Sequence, residues 1–304
     1  MKPWPMPAAI SPGPFLCSNW RKPFRNKSFR VMHIENSIVT VCFNALDTLK
    51  MCVESVASQA DEATEHIVVD GASTDGTAQW LATLHLPHLR FVSEPDTGIY
   101  NAMNKGWGMA RGTWISFLNA DDVYLPNTLQ NVRAAAHEEV DVIYGNLRKE
   151  RLLNDRWFHR IEKPNHEKML QTMGVFHPAT FWRRNLSDTL GMYDERYRFS
   201  ADYDLLLRMF LANCRFQHVD EVLAIFRVGG ASTLNCTSYE EGVDIMRRHQ
   251  TGYADELVKE WQLCKRKVSK LKAILTLARL TGTMPLIEKR MQRNWTPNHG
   301  DFGA

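Results

Sequence analysis

Over the first half of the chain, short apolar blocks alternate with stretches of helical spacing. Ser37-Ile-Val-Thr-Val-Cys-Phe43 is rich in β-branched residues and predicts a strand, after which Asp47 or Thr48 can cap a helix running to Ser58. Glu65 to Val69 predicts a second strand. It ends in the polar turn Asp70-Gly-Ala-Ser-Thr-Asp75-Gly-Thr77, and a helix follows to Leu84. Leu89 to Ser93 predicts a third strand, Ile99 to Ala110 a helix, and Trp114 to Leu118 a fourth strand that stops abruptly at Asn119-Ala-Asp-Asp122. Strands alternating with helices predict βαβ units, and therefore an α/β fold with a mostly parallel central sheet flanked by helices. Past residue 125 the alternation loosens. Asn127 to Glu139 predicts a helix, Asp141 to Gly145 a short strand and Arg156 to Ile161 an edge strand. A loop then enters an amphipathic helix at Asp202, with Leu205, Leu206 and Met209 facing inward.

Composition narrows the class. The chain has 304 residues, 44% hydrophobic and 23% charged, as in an ordinary globular protein. No apolar run reaches the ~18 residues a membrane-spanning helix needs. The net charge of +3 conceals an asymmetry: residues 1–30 carry six Lys or Arg and no acid, and residues 261–304 carry nine basic residues and two acids. The remaining middle holds 22 basic and 32 acidic residues. An acidic body excludes the basic groove of a nucleic-acid enzyme. The six cysteines (17, 42, 52, 214, 236 and 264) form no C-x-x-C pair. Their spacing predicts reduced thiols in a cytosolic protein rather than a disulfide framework or a zinc site.

Three polar clusters carry chemistry. At the turn after the second strand, Gly71, Ser73 and Gly76 permit close backbone approach, and the following helix start favours a phosphate. Asp70 there is placed to accept hydrogen bonds from a base or ribose. The competing reading is a capped turn, with Ser73, Thr74 or Asp75 as N-cap. Asp121 and Asp122 directly follow a buried strand, where open α/β sheets bind ligands; a solvated turn is the bland alternative. Asp202 is either a charge favoured by the helix dipole or a carboxylate facing a pocket and suited to take a proton.

In order along the chain stand Val-Val-Asp70-Gly-Ala-Ser-Thr-Asp75-Gly-Thr, Glu94-Pro-Asp96-Thr-Gly-Ile-Tyr-Asn-Ala-Met-Asn104-Lys105-Gly, Phe117-Leu-Asn-Ala-Asp121-Asp122, His177-Pro-Ala-Thr-Phe, Ala201-Asp202-Tyr-Asp204 and Phe226-Arg227-Val-Gly229-Gly230-Ala-Ser232. Together these segments resemble glycosyltransferase family 2, the inverting family with the GT-A nucleotide-diphospho-sugar transferase fold. The second and fourth are similar to members that build bacterial exopolysaccharide, capsule or lipopolysaccharide. The resemblance covers residues 38–232. It implies a hexosyltransferase moving a hexose-type sugar from a nucleotide-diphosphate donor, with UDP as the favoured nucleotide, to a hydroxyl of a glycan or lipid-linked saccharide. It implies Asp121 as ligand of Mn²⁺ or Mg²⁺, with Asp70, Asp96, Asn104, Lys105, Asn119 and Asp122 on the nucleotide-sugar. Asp202 would be the general base, and His177 and Asp204 would lie on the acceptor side. Two positions depart from the family pattern: Asn119 replaces the first acid of the DXD motif, and Ala201 replaces the Glu of a Glu-Asp pair. These departures keep open a second function, a non-catalytic module binding sugar-nucleotide or glycan on the same fold. A nucleotidyltransferase would want a Gly-rich, basic loop after the first strand, where this chain has Phe43-Asn-Ala-Leu-Asp-Thr.

The ends form separate units in this reading. Residues 1–33 are Pro-rich, basic and without periodicity, which predicts a disordered tail or a true start at Met32. Residues 34–252 make the glycosyltransferase domain, and 253–304 a basic helical tail. In that tail Leu257, Trp261, Cys264, Val268, Leu271, Leu275 and Ala278 repeat at four-three spacing among Lys265, Arg266, Lys267, Lys270, Lys272 and Arg279. The seam is expected to pack on the catalytic domain, to pair with a second copy, or to lie on an anionic membrane. The last option puts a cytoplasmic protein at the inner face of the plasma membrane.

Overall fold

The computed structural model describes residues 34–153, 156–228, 236–266 and 296–297. Strands β1 (Asn36–Cys42) and β2 (Thr64–Asp70) are buried along their whole length, so both faces of the sheet are covered. Helix α1 (Leu46–Ala57) covers one face with Leu49, Cys52, Val53 and Val56, which recur at three- and four-residue spacing and meet Ile38, Cys42 and Val68. Beyond α2 (Thr77–Thr83) and β3 (Leu89–Ser93), helix α3 (Ile99–Met109) covers the other face. Its Met103 and Trp107 pack with Val39, Val41, Ile67 and Val69. Gly106 lets α3 come this close, because a Cβ there would collide with the Val39 side chain.

The chain continues through β4 (Trp114–Phe117), β5 (Val123–Tyr124), α4 (Thr128–Ala135), β6 (Val142–Leu153), β7 (Arg156–Glu162), β8 (Thr180–Arg183), α5 (Ser187–Leu190), α6 (Ala201–Leu211), β9 (Phe216–Arg227) and α7 (Thr237–Arg248). A further helix, α8, spans 254–266 of the described residues, and β10 is Thr296–Pro297. The sheet order is β10-β7-β6-β8-β4-β1-β2-β3, with β9 pairing to β5 and β6. From β1 to β4 every pairing is parallel. Beyond β4 the sheet turns mixed: β8 runs antiparallel between β4 and β6, while β9 runs parallel to β6 and antiparallel to β5. All of this is an α/β fold whose parallel strands end along one edge.

The opposite edge is fixed by one buried carboxylate. Glu65, opposite Ser37 in the β1–β2 register, is 2% exposed. It accepts from the Ser37 hydroxyl at 2.5 Å, the Arg111 amide at 2.6 Å and the Arg90 guanidinium at 2.9 Å, and it pairs with the Arg111 guanidinium at 3.0 Å. Burial by itself would raise its pKa. The hydroxyl, the amide and the two guanidinium groups outweigh that and hold it below the ordinary carboxylate range.

Two expectations need correction. Cys236 and Cys264 form a disulfide, so thiol spacing does not argue for a reducing compartment. The reason is tertiary: α7 and α8 form an antiparallel pair in which Gly242 also faces Leu257, so residues 28 apart in sequence meet. Cys42, Cys52 and Cys214 are free thiols, and Cys17 lies outside the described residues. Neither Asp47 nor Thr48 caps α1: its first amide, Leu46 N–H, donates to Asp75 across the next loop. Leu257, the first seam position, packs on the catalytic core beside Tyr253 and Ala254. The seam from Val268 to Ala278, the basic residues beyond 266, the segment 229–232 and residues 1–33 lie outside the described residues.

Glu65→Gln is expected to lower unfolding free energy at pH 7 by about 2 kcal/mol in urea titrations. Because the folded-state pKa is depressed, the stabilisation is complete above the unfolded pKa. The gap to the wild type therefore narrows as pH falls through the lowered value.

Candidate active site

The edge where the parallel strands end carries three groups of side chains. At the ends of β1 and β2, Asp70 is fully buried. It accepts from the Ser73 hydroxyl and amide and from the Ser93 hydroxyl at 2.6 Å. Its donors all come from the chain, so Asp70 holds the turn rather than offering a carboxylate to solvent. Asn44 fastens the β1 turn to the same loop: its amide donates to the Ser73 hydroxyl at 2.7 Å, and its Oδ1 accepts from the Thr74 amide at 2.9 Å. Ala72 sits in the left-handed region with φ 61°, a backbone a non-glycine residue adopts only where its surroundings hold it. Gly71 is closely approached from outside the turn: a Cβ there would meet Asp96 Oδ2 at 2.5 Å and the Phe43 ring at 3.4 Å, so Phe43, Gly71 and Asp96 are neighbours. Phe43 is 64% exposed, an unusual place for a large apolar side chain. Its signal in the sequence was an aromatic directly after a buried strand, and the sequence reading passed over it.

The second group lies after β4. The turn from Asn119 to Asp122 is closed by the Asp122 amide donating to the Asn119 carbonyl at 3.0 Å. Asp122 is fully buried, and burial, then repulsion from Asp121, pushes its pKa well up; the Arg227 amide and Asn119 pull the other way. Asp121 is raised too, by burial, with Arg227 opposing. Asn119 Oδ1 and Asp122 Oδ1 are buried and have no hydrogen-bond donor. Antiparallel pairing of Val123 with Ile225 brings Asp121 level with Arg227 of β9. Among the described residues the Arg227 guanidinium lies 5.6 Å over Trp157 and meets the Met51 sulfur, and its buried Nε has no hydrogen-bond partner. Among the described residues it forms no ion pair. Two desolvated carboxylates and two orphaned oxygens make a set of hard oxygen donors, and with the Arg227 charge close by they suit a divalent cation carried with a phosphate. No group of three or more His, Cys, Asp or Glu forms a complete cage among the described residues, so phosphate oxygens would have to supply the remaining ligands.

The third group lies at the start of α6. Asp202, in the first turn, accepts on Oδ1 from the Tyr100 phenol at 3.1 Å and from the Tyr203 amide at 2.9 Å. Asp204 differs in kind: it is 1% exposed, pairs with Arg208 and His249 at 2.9 Å each, and lies 3.9 Å from Arg248. This arrangement encloses Asp204 in an ion cluster joining α6 to α7. His177, 4% exposed, hydrogen-bonds the Tyr193 hydroxyl at 2.7 Å and stacks on Phe117; burial lowers its pKa and keeps it neutral. Asn104 is bonded to both backbone groups of Tyr193 and to Glu195, and Lys105 pairs with Glu94 at 2.8 Å. The strand-end edge thus gathers Asp96, Asn119, Asp121 and Asp122. Asp202 stands in the first turn of α6 against Tyr100, while Asn104, Lys105, His177 and Asp204 are engaged in contacts within the protein.

The contrast between the two α6 acids is measurable. Asp204→Asn is expected to cost about 3 kcal/mol of stability by breaking a buried charge cluster. Asp202→Asn is expected to cost less than about 1 kcal/mol. Urea unfolding of both variants checks the difference.

The model of the family described as glycosyl transferase family 2 matches residues 37–192. A PGL/p-HBAD biosynthesis glycosyltransferase of Mycobacterium bovis is 38% identical over 181 residues, 57% of this chain and 69% of the relative. The succinoglycan biosynthesis protein ExoO of Rhizobium meliloti is 28% identical over 187 residues, 56% of this chain and 54% of the relative. Among solved structures, Staphylococcus aureus TarS 1-349 in complex with UDP-GlcNAc superposes with a TM-score of 0.59 at 18% identity, covering 75% of this chain and 71% of TarS 1-349. That likeness concerns the fold, which is GT-A. The matched segment runs from β1 through β4 and the Asn119–Asp122 turn to residue 192, and the chain belongs to glycosyltransferase family 2.

Proposed function

We propose that this glycosyltransferase moves a hexose-type sugar from a nucleotide diphosphate, UDP by preference, to a hydroxyl of a glycan or lipid-linked saccharide. The setting is synthesis of a bacterial surface polysaccharide or glycolipid. The observation that carries the reading is the strand-end set of Asp121, Asp122, Asn119 and Arg227, with two buried oxygens and a buried Nε awaiting partners. The named relatives act in glycolipid and succinoglycan biosynthesis, and a lipid-linked acceptor would put the work at the inner face of the plasma membrane. No helix among the described residues is long and apolar enough to cross a membrane.

In this reading the base stacks on Phe43 beside Gly71, with Asp96 at its edge and Asp70 keeping the turn in shape. Asp121 and Asp122, with Asn119, would hold Mn²⁺ or Mg²⁺, which when bound supplies positive charge for the diphosphate. Arg227 neutralises the same leaving group from the β9 side. Its guanidinium is held in place by Trp157, so it is set before charge develops. Asp202 takes the acceptor proton. The acceptor oxygen bonds to the anomeric carbon as the bond from that carbon to the diphosphate oxygen breaks, and the electron pair leaves with the diphosphate. A single in-line displacement inverts the configuration.

A thermal-shift panel of UDP, GDP, dTDP and CMP, with and without Mn²⁺, tests the donor site. One diphosphate is expected to stabilise the protein in a metal-dependent way, by about 2.7 kcal/mol at 100 times its Kd. Phe43→Ala is expected to weaken that shift while leaving the unliganded melting temperature unchanged. No shift with any nucleotide at millimolar concentration would favour a non-catalytic module. Asp202→Asn is expected to keep the nucleotide shift and lose transfer by at least about 100-fold; near-normal turnover would remove Asp202 as the base.

A further inference from the structure

Asp202 is unlike the other acids of this edge. Asp70 is saturated by hydroxyl and amide donors, Asp204 is held by Arg208 and His249, and Asp121 and Asp122 repel each other beside Arg227. Asp202 has no cation partner among the described residues, and its one side-chain donor is a phenol. Among the described residues both hydrogen bonds to its side chain fall on the same oxygen: the Tyr100 hydroxyl and the Tyr203 amide reach Oδ1. A carboxylate bonded this way cannot rotate without losing two donors, and its other oxygen has no hydrogen-bond donor among the described residues.

We propose that Tyr100 is a positioning residue that locks Asp202 with Oδ1 engaged and Oδ2 as the atom receiving the acceptor proton. This deepens the proposed function and rests on Asp202 being the base. Tyr100 is suited to the task because it is 6% exposed, and burial, then the charge of Asp202, hold its phenol well above its ordinary pKa. It therefore stays protonated and donates. Its ring is braced by Tyr193 at 5.4 Å, and Tyr193 is tied through its hydroxyl to His177 and through its backbone to Asn104 of α3. The groups facing the Tyr100–Asp202 pair are neutral His177 and Tyr193 on one side and Glu241 of α7 on the other, with Arg208 acting through Tyr193. None of these replaces the phenol as donor. This gives Asn104, Tyr193 and His177 one shared part in the site: they hold Tyr100 rather than touch a substrate. During transfer the proton passes from the acceptor hydroxyl to Oδ2. The phenol proton stays on Tyr100, and its hydrogen bond to Oδ1 is kept throughout.

A hydrogen bond to the charged form of a carboxylate favours that form, so removing it makes protonation easier. In Tyr100→Phe the acid limb of the kcat/KM–pH profile is expected to move up, and kcat at pH 7 to fall about tenfold with KM for the donor unchanged. The nucleotide-induced thermal shift is expected to stay unchanged. Tyr100→3-fluorotyrosine keeps the shape and strengthens the donor, so the same limb is expected to move down. The Asp202 side-chain carboxyl ¹³C titration, read on the unliganded protein, is expected to move in the same two directions. This second readout needs no transfer assay and stands if Tyr100→Phe proves poorly folded. Profiles and titrations that coincide with the wild type for both variants would overturn the inference. So would a loss of rate in Tyr100→Phe traced wholly to weaker donor binding. If Asp202→Asn retains turnover while the carboxyl titration still moves, the base assignment has failed and the contact is structural only.

Discussion

Everything at the functional edge depends on the register of three parallel strands, and that register is locked from the far end. Glu65 collects the Ser37 hydroxyl of β1, the Arg90 guanidinium of β3 and the amide and guanidinium of Arg111 just before β4. One carboxylate thereby ties the amino-terminal ends of neighbouring strands to a common level. Strand pleating has a period of two, so a slip of one residue would turn every side chain to the other face. With the register held, Cys42 lies opposite Asp70 and Val39 opposite Phe117. The turns after β1, β2 and β4 then open together along one edge.

The same residue type serves four purposes at that edge, and environment alone separates them. Asp70 is satisfied and rigid. Asp204 is neutralised and buried. Asp121 and Asp122 are desolvated and mutually repelled. Asp202 is anchored at one oxygen and has no donor at the other among the described residues. Charge on a carboxylate in the first two settings is offset within the fold, so it adds stability. In the third it is a cost, since burial and mutual repulsion disfavour the charged forms. The aromatic group of Trp107, Phe117, Trp182, Tyr193 and His177 packs ring against ring, and its Trp and Tyr members share one core cluster with Leu205 and Leu206 of α6.

The parallel half of the sheet was readable because it is built from locally consistent signals. β3 is Leu89–Ser93 as the apolar run predicts, and α3 starts at Ile99 as its spacing predicts. β9 was not readable. Phe216 to Arg227 carries His, Asp and Glu in its first half and is only partly buried there, so neither a continuous apolar run nor a clean alternation marks it. Arg227, at its end, went unassigned for the same reason. The role expected for Asp70 rested on its place after a strand, and position in sequence says nothing about Ser73 and Ser93 closing over the carboxylate.

By itself the sequence determined the α/β alternation, the family, and which acids stand at strand and helix ends, because hydrophobic period and turn chemistry are local properties. Only the tertiary structure decided what each acid is free to do. It brought Phe43 against Gly71 and Asp96, set Arg227 beside Asp121, closed Asp204 with Arg208 and His249, joined Cys236 to Cys264, and put Tyr100 on Asp202 across 102 residues of chain. These are contacts between distant segments. Their free energies come from burial and from partners that no local window of sequence contains.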